Sequence, residues 1–287
     1  MASVAAGNAR TGAPRAPLAV VAGVLAVVTA GTLLLRTGIL DSGYWIDEAI
    51  AVGIASHDLV DIPGALRRDG SPPLFYVLLH GWMELAGTGE SATRVLSLLF
   101  AMLAVPVSWW AGNAVFDRRA GALAAAGAAG CPFLTYYAQE TRMYSLVVVL
   151  SVLAGASFVL AFLHGRRRHL VLLGVWLTLL LYTHNWALFL VAGMGVAWLW
   201  LWRAGRVDGR DGVLVAAAIA VLYAPWVPSV CSSPPTPRLR GRRGRYRCGC
   251  SAYPARSSAT SPRRCWRSPW SARSGAGERA TRCGRWR

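Results

Sequence analysis

The chain has 287 residues, 55% of them hydrophobic and only 15% charged, with a mean hydropathy of +0.41. That balance excludes an ordinary soluble domain and points to helices that sit in lipid. The formal charge of +17 is uneven: residues 1–230 carry 15 Arg against 12 acids, and residues 231–287 carry 15 Arg against Glu278 alone.

Crossing about 30 Å of hydrocarbon takes roughly 20 helical residues. The first apolar run, 18–35, follows Arg10 and Arg15, so residues 1–17 are expected in the cytoplasm by the positive-inside rule. A cleaved signal peptide is the competing reading, and the acidic pair and further spans that follow weigh against it. Segment 36–94 is read as the first outer loop. Within it 72–87 is short for a span and carries His80 and Glu84, which predicts a helix lying at the interface.

Further spans are predicted at 95–116, 120–138, 143–163, 170–183, 186–202 and 213–230. With 18–35 they make about seven, in an all-α polytopic membrane protein whose transmembrane domain covers 18–230. The Ala/Gly-rich stretch 120–131 predicts close helix approach. Placing the Arg-rich loops (Arg118-Arg119, Arg166–Arg168, Arg203–Arg210) in the cytoplasm sends Asp47-Glu48, Gln139-Glu140 and His184-Asn185 to the opposite, outer face.

Residues 231–287 change language entirely. They mix Arg, Ser, Pro, Gly, Cys and Trp without apolar periodicity, as GC-rich DNA read out of frame does, and such a segment is expected to be disordered. Five of the six cysteines fall here, without the paired two-residue spacing of common zinc sites. A nucleic-acid partner is not expected, because the topology puts the tail outside.

Asp47-Glu48 is the chain's only adjacent acidic pair, and paired carboxylates beside a spanning helix read first as a functional site. The bland alternatives are a helix cap for Asp47-Glu48, a helix-end ion pair for Glu140 and Arg142, a turn for Asp69, and a polar break between spans for His184-Asn185. A transporter or flippase is the rival class, but its charges would line a midplane path, whereas these acids sit at span ends.

Four segments resemble the N-terminal module of GT-C glycosyltransferases, in the family 39-like branch of protein O-mannosyltransferases and aminoarabinose transferases. They are Trp45-Ile46-Asp47-Glu48-Ala49, Asp69-Gly70-Ser71-Pro72-Pro73-Leu74-Phe75-Tyr76, Glu90-Ser91-Ala92-Thr93-Arg94-Val95-Leu96-Ser97, and the run from Pro132 to Tyr144 with its Tyr-x-x-Glu-x-Arg-x-Tyr pattern. The resemblance covers about 18–230 and none of the tail. It implies sugar transfer, with mannose one candidate, from a polyprenyl-phosphate donor to a protein, lipid or glycan acceptor at the outer face of a bacterial plasma membrane.

It also implies that Asp47 is the general base for the acceptor, with Glu48 assisting. Arg142 would stabilise the phosphate leaving group. Glu140, Tyr144, Asp69 and His184 join the substrate-binding candidates. The resemblance specifies no cofactor with certainty, and a divalent metal is left open. A chain lacking later helices could also be an inactive fragment.

Overall fold

The computed structural model describes residues 27–28, 31, 36–38 and 40–228. The chain divides into two units, Met1–Thr236 and Pro237–Arg287, and every described residue belongs to the first. The tail, and nearly all of the run predicted at 18–35, lie outside the described residues.

Among the described residues all regular structure is helical. The first-loop segment holds three helices where one was expected: α1 (Ile46–Ala55), α2 (Ile62–Asp69) and α3 (Leu74–Ala86). Gly70 ends α2 with a φ of +82°, its N–H donating to Leu66 O; this left-handed cap favours glycine. Pro72-Pro73 then separates α2 from α3, and α3 buries Phe75, Tyr76, Leu79 and Met83.

Among the described residues two helices are long and apolar enough to cross a membrane: α4 (Glu90–Val115), and α7 (Tyr144–Phe158) with the π-turn Val159–Leu163 that extends it. The remaining helices are α5 (Arg118–Ala129), α6 (Pro132–Tyr137), α8 (Arg168–Leu181), α9 (Ala187–Arg203) and α10 (Gly209–Tyr223), each shorter than 18 residues. The span predicted at 120–138 is therefore two helices. Gly130 caps α5 and Pro132 occupies the first turn of α6; proline has no N–H to continue the preceding ladder but suits a helix start.

Packing explains the small residues of α5. A Cβ on Gly121 would stand 2.7 Å from Trp109 O, and one on Gly112 would stand 2.8 Å from Ala120 O. Glycine at both positions lets α4 and α5 approach backbone to backbone. Arg36, fully buried, closes the far end of α5 by donating to Ala128 O at 2.8 Å and Ala129 O at 3.1 Å, and it also reaches Ala101 O of α4 at 3.2 Å. These are last-turn carbonyls that α5 cannot satisfy itself.

The helix ends sort into two sets. Residues 40–48, 70–74, 88–94, 137–144 and 182–186 are linked to one another by hydrogen bonds and ring contacts. Helices α4, α7 and α9 start at this end, and α8 and α10 finish at it, with Tyr182 Oη donating to Leu222 O at 2.9 Å. Arg118, Arg168 and Arg203 stand at the opposite ends of their helices. The acid-bearing loops and the Arg-rich loops thus lie at opposite ends of the bundle.

Candidate active site

The site is assembled around a residue that is not itself free to react. Glu48 sits in the first turn of α1, 1% exposed, and each of its carboxylate oxygens accepts two hydrogen bonds. Arg94 Nε (2.9 Å) and Thr141 N–H (2.8 Å) donate to Oε1; Arg94 Nη2 (2.7 Å) and Trp45 N–H (3.0 Å) donate to Oε2. The last of these is the return half of a capping box at the start of α1: the Glu48 carboxylate accepts from the N-cap N–H, while the Trp45 indole offers no acceptor for the reciprocal bond. Burial alone would push this carboxyl up; the bonds from Arg94, Thr141 and Trp45 outweigh it and hold Glu48 below the usual carboxylate range.

Arg94 extends the knot. Its guanidinium also donates to Leu40 O (2.8 Å), Gly43 O (3.2 Å) and Ser42 O, and lies 5.6 Å from the Tyr44 ring centroid. Tyr44 Oη bonds Thr88 O and Thr93 Oγ1, and Thr93 in turn meets Thr141 Oγ1 at 3.0 Å. Three residues further along α4, Ser97 Oγ donates to Arg142 O at 3.0 Å. One face of the α4 N-terminus therefore pins both the 40–48 segment and the 140–142 turn.

Between those two segments lies a cavity of about 200 Å³. Its polar wall is Asp47, Glu48, Glu140 and Arg142, and its aromatic wall is Trp45, Tyr136, Tyr137 and Tyr144. The side chain of Asp47, unlike its neighbour's, is exposed. The Arg142 guanidinium is half-buried; it donates to the Asp47 backbone carbonyl at 3.4 Å and lies 5.7 Å from the Tyr144 ring centroid. The one ion pair among the described residues is Arg94–Glu48, so the helix-end pairing of Glu140 with Arg142 is not formed.

Glu140 is half-buried and its carboxyl is raised. Burial is the main cause, and the negative charges of Glu48 and Asp47 add to it against the opposing pull of the Tyr136 hydroxyl and Arg142. His184 and Asp69 do not line the cavity. His184 stands behind it, its ring 5.8 Å from that of Tyr144, and its Nδ1 accepts from Trp186 N–H at 3.1 Å, which leaves the neutral ring's proton on Nε2. Burial, with Arg142 nearby, lowers its pKa. Asp69 is exposed and accepts from Ser71 Oγ.

Among the described residues no three His, Cys, Asp or Glu side chains converge as a metal centre. Sequence reasoning placed Arg94, Ser97 and Tyr76 inside motifs without giving them a role; the signal for the first two was the i, i+3 spacing on one helix face.

Comparison with known families is decisive for the chain as a whole. The family model described as dolichyl-phosphate-mannose-protein mannosyltransferase matches residues 70–228, more than half of the sequence. The chain belongs to that family. It is thus a member of a membrane-embedded glycosyltransferase family, and the regular structure of its described residues is helical. The match covers Glu140, Arg142, Tyr144 and His184, and begins after Asp47 and Glu48. No curated protein matches the chain.

Proposed function

We propose that the chain carries the catalytic module of a polyprenyl-phosphate-sugar-dependent glycosyltransferase, mannose being the sugar that the family's name favours. The observation that carries this reading is the pairing, across one 200 Å³ cavity, of a carboxylate and a guanidinium that are not joined to each other as an ion pair: Asp47 and Arg142. Such a pair suits displacement at an anomeric carbon. The acceptor hydroxyl loses its proton to Asp47 as its oxygen forms the new bond to that carbon. The bond from the anomeric carbon to the phosphate oxygen breaks, and its electron pair leaves on the lipid phosphate, facing Arg142. A single displacement inverts the anomeric centre.

Glu48 then has a role different from assisting base. With both oxygens occupied it holds Trp45, Thr141 and Arg94 together, so it sets the position of Asp47 and of the 140–142 turn without touching substrate. Glu140, kept more protonated than an ordinary glutamate, can offer a hydrogen bond to a sugar hydroxyl, and Tyr144 supports Arg142 from below. The end of the bundle that carries the cavity is assigned to the outer face, because Arg118, Arg168 and Arg203 mark the other end as cytoplasmic.

The test is Asp47→Asn in the purified full chain, assayed for transfer from a polyprenyl-phosphate sugar. Loss of a general base predicts a fall in kcat of about 10²–10⁴-fold with donor binding retained. Undiminished kcat in a folded variant would remove Asp47 from the mechanism.

A further inference from the structure

Helices α8 and α10 both start at the Arg-rich end of the bundle, and a groove of about 330 Å³ lies between them. Leu170 and Gly174 form one wall, and Leu214, Ala218 and Leu222 form the other. Gly174 is buried, yet a Cβ there would meet nothing within 4 Å. The missing side chain therefore leaves room that no neighbouring helix fills. Along α10 the groove runs from Asp211 to Leu222, about 16 Å at a rise of 1.5 Å per residue. That is roughly half of the hydrocarbon core, the depth of one acyl chain in one leaflet.

Two charged side chains line the groove, Arg167 and Asp211, both at its Arg-rich end. The one ion pair among the described residues is Arg94–Glu48, so these two are not joined to each other. Asp211 lies in the first turn of α10, and Arg167 immediately precedes α8. A first-turn acid suits the helix dipole, whereas an arginine at a helix start opposes it. Helix capping thus accounts for Asp211 and leaves Arg167 unexplained. An orientation signal needs positive charge at this end, but it does not need that charge to share a groove with a carboxylate. The arginine and the positive end of α8 together favour a phosphate.

We propose that the groove holds a zwitterionic phospholipid with a primary-ammonium headgroup. Its phosphate accepts from Arg167, its ammonium donates to Asp211, and one acyl chain lies between α8 and α10. The apolar walls do not select the ligand, because lipid tails are as apolar as leucine and gain little hydrophobically by leaving the bilayer. Selection falls to the mouth. An anionic headgroup would set a second negative charge against Asp211, and a quaternary ammonium has no N–H to donate. On the orientation proposed above, this lipid comes from the cytoplasmic leaflet.

The experiment is native mass spectrometry of the full chain released from nanodiscs of phosphatidylethanolamine, phosphatidylcholine and phosphatidylglycerol in equal parts. The parent is expected to retain phosphatidylethanolamine in about three- to tenfold excess over either competitor, the effect of one charge-assisted hydrogen bond near the surface. Asp211→Asn should lose that preference, Arg167→Gln should retain less of all three lipids, and Gly174→Leu should shed lipid whatever its headgroup. Should Gly174→Leu fail to fold, Asp211→Asn still reads the headgroup with the groove intact. A parent that prefers phosphatidylglycerol, or an unchanged preference in Asp211→Asn, would overturn the proposal. Full retention by a folded Gly174→Leu would put the lipid elsewhere and overturn it too. A parent that keeps no lipid would have the same force, and a dimer broken by Gly174→Leu would then assign the groove to a second copy of the chain.

Discussion

Arg94 grips Glu48 by both carboxylate oxygens, at 2.9 and 2.7 Å, with each side chain 1% exposed. Because Thr141 and Trp45 supply the remaining donors, the pair is fully satisfied, which is the condition under which a buried ion pair is tolerated. Removing one partner strands the other. Glu48→Gln and Arg94→Met should each cost about 3–5 kcal/mol, read by thermal unfolding in detergent, and should lower transfer as the 40–48 segment detaches from α4. A stability equal to that of the parent would mean that the pair is not formed in the membrane.

The pH dependence of stability separates Glu48 from Glu140, because their shifts have opposite signs. Glu48 is held below its ordinary value of 4.5, so its contribution is fully present above that value and is lost as pH falls through the lower folded-state value. Glu140 is raised above 4.5, so the folded protein is favoured while it is protonated and loses that advantage as pH climbs through the raised value. Glu140→Gln should therefore match the parent in acid and become the more stable of the two toward neutral pH. Glu48→Gln should be the less stable near neutrality, and the gap should narrow in acid. Denaturation midpoints across pH test both, and parallel curves for the two variants would contradict the assignment.

How much of this was legible in the sequence depended on the range of the interaction. Apolar runs and Arg-rich loops reported local chemistry, and they gave the order of helices α4, α7, α8, α9 and α10 to within a few residues. The same runs misled at 120–138, because hydropathy does not register that Gly130 and Pro132 end one helix and start another. In the first loop the three short helices depend on Gly70 and the Pro72-Pro73 pair more than on any apolar period. At the candidate site, the Asp47-Glu48 pair stood out by charge, whereas Glu140 and Arg142 entered through the motif that carries the family resemblance. That Glu48 is spoken for and Asp47 is not could not be read locally, since Arg94 lies 46 residues away and Thr141 lies 93 residues away.

Arg142 should tolerate lysine poorly. A guanidinium can take two phosphate oxygens at once while lying against the Tyr144 ring, and an ammonium can do neither in the same way. Charge-assisted bonds contribute about 1.5–3 kcal/mol, so Arg142→Gln should raise donor KM by roughly 10–100-fold, with Arg142→Lys intermediate. Acceptor KM should not change in either variant. Kinetics at varied donor and fixed saturating acceptor decide this, and full activity in the lysine variant would show that only the charge matters.

Two glycines of α5 offer a test of packing that is independent of catalysis. Gly121 meets the α4 backbone, with Trp109 O 2.7 Å from where a Cβ would stand, and backbone cannot swing aside as a side chain can. Gly127 has nothing within 4 Å of that position and is exposed. Alanine is the better helix former by roughly 0.5–1 kcal/mol, so Gly127→Ala should be neutral to stabilising in the membrane. At Gly121 the same gain is set against overpacking of about 1–3 kcal/mol, and the net effect should be destabilising. Because α4 presents Arg94 and Ser97 to the site, separating α4 from α5 should also lower transfer by Gly121→Ala while Gly127→Ala keeps full activity. Melting temperatures of the pair, measured side by side in one detergent, check the sign of each, and a stable Gly121→Ala would mean that α4 and α5 do not pack backbone to backbone.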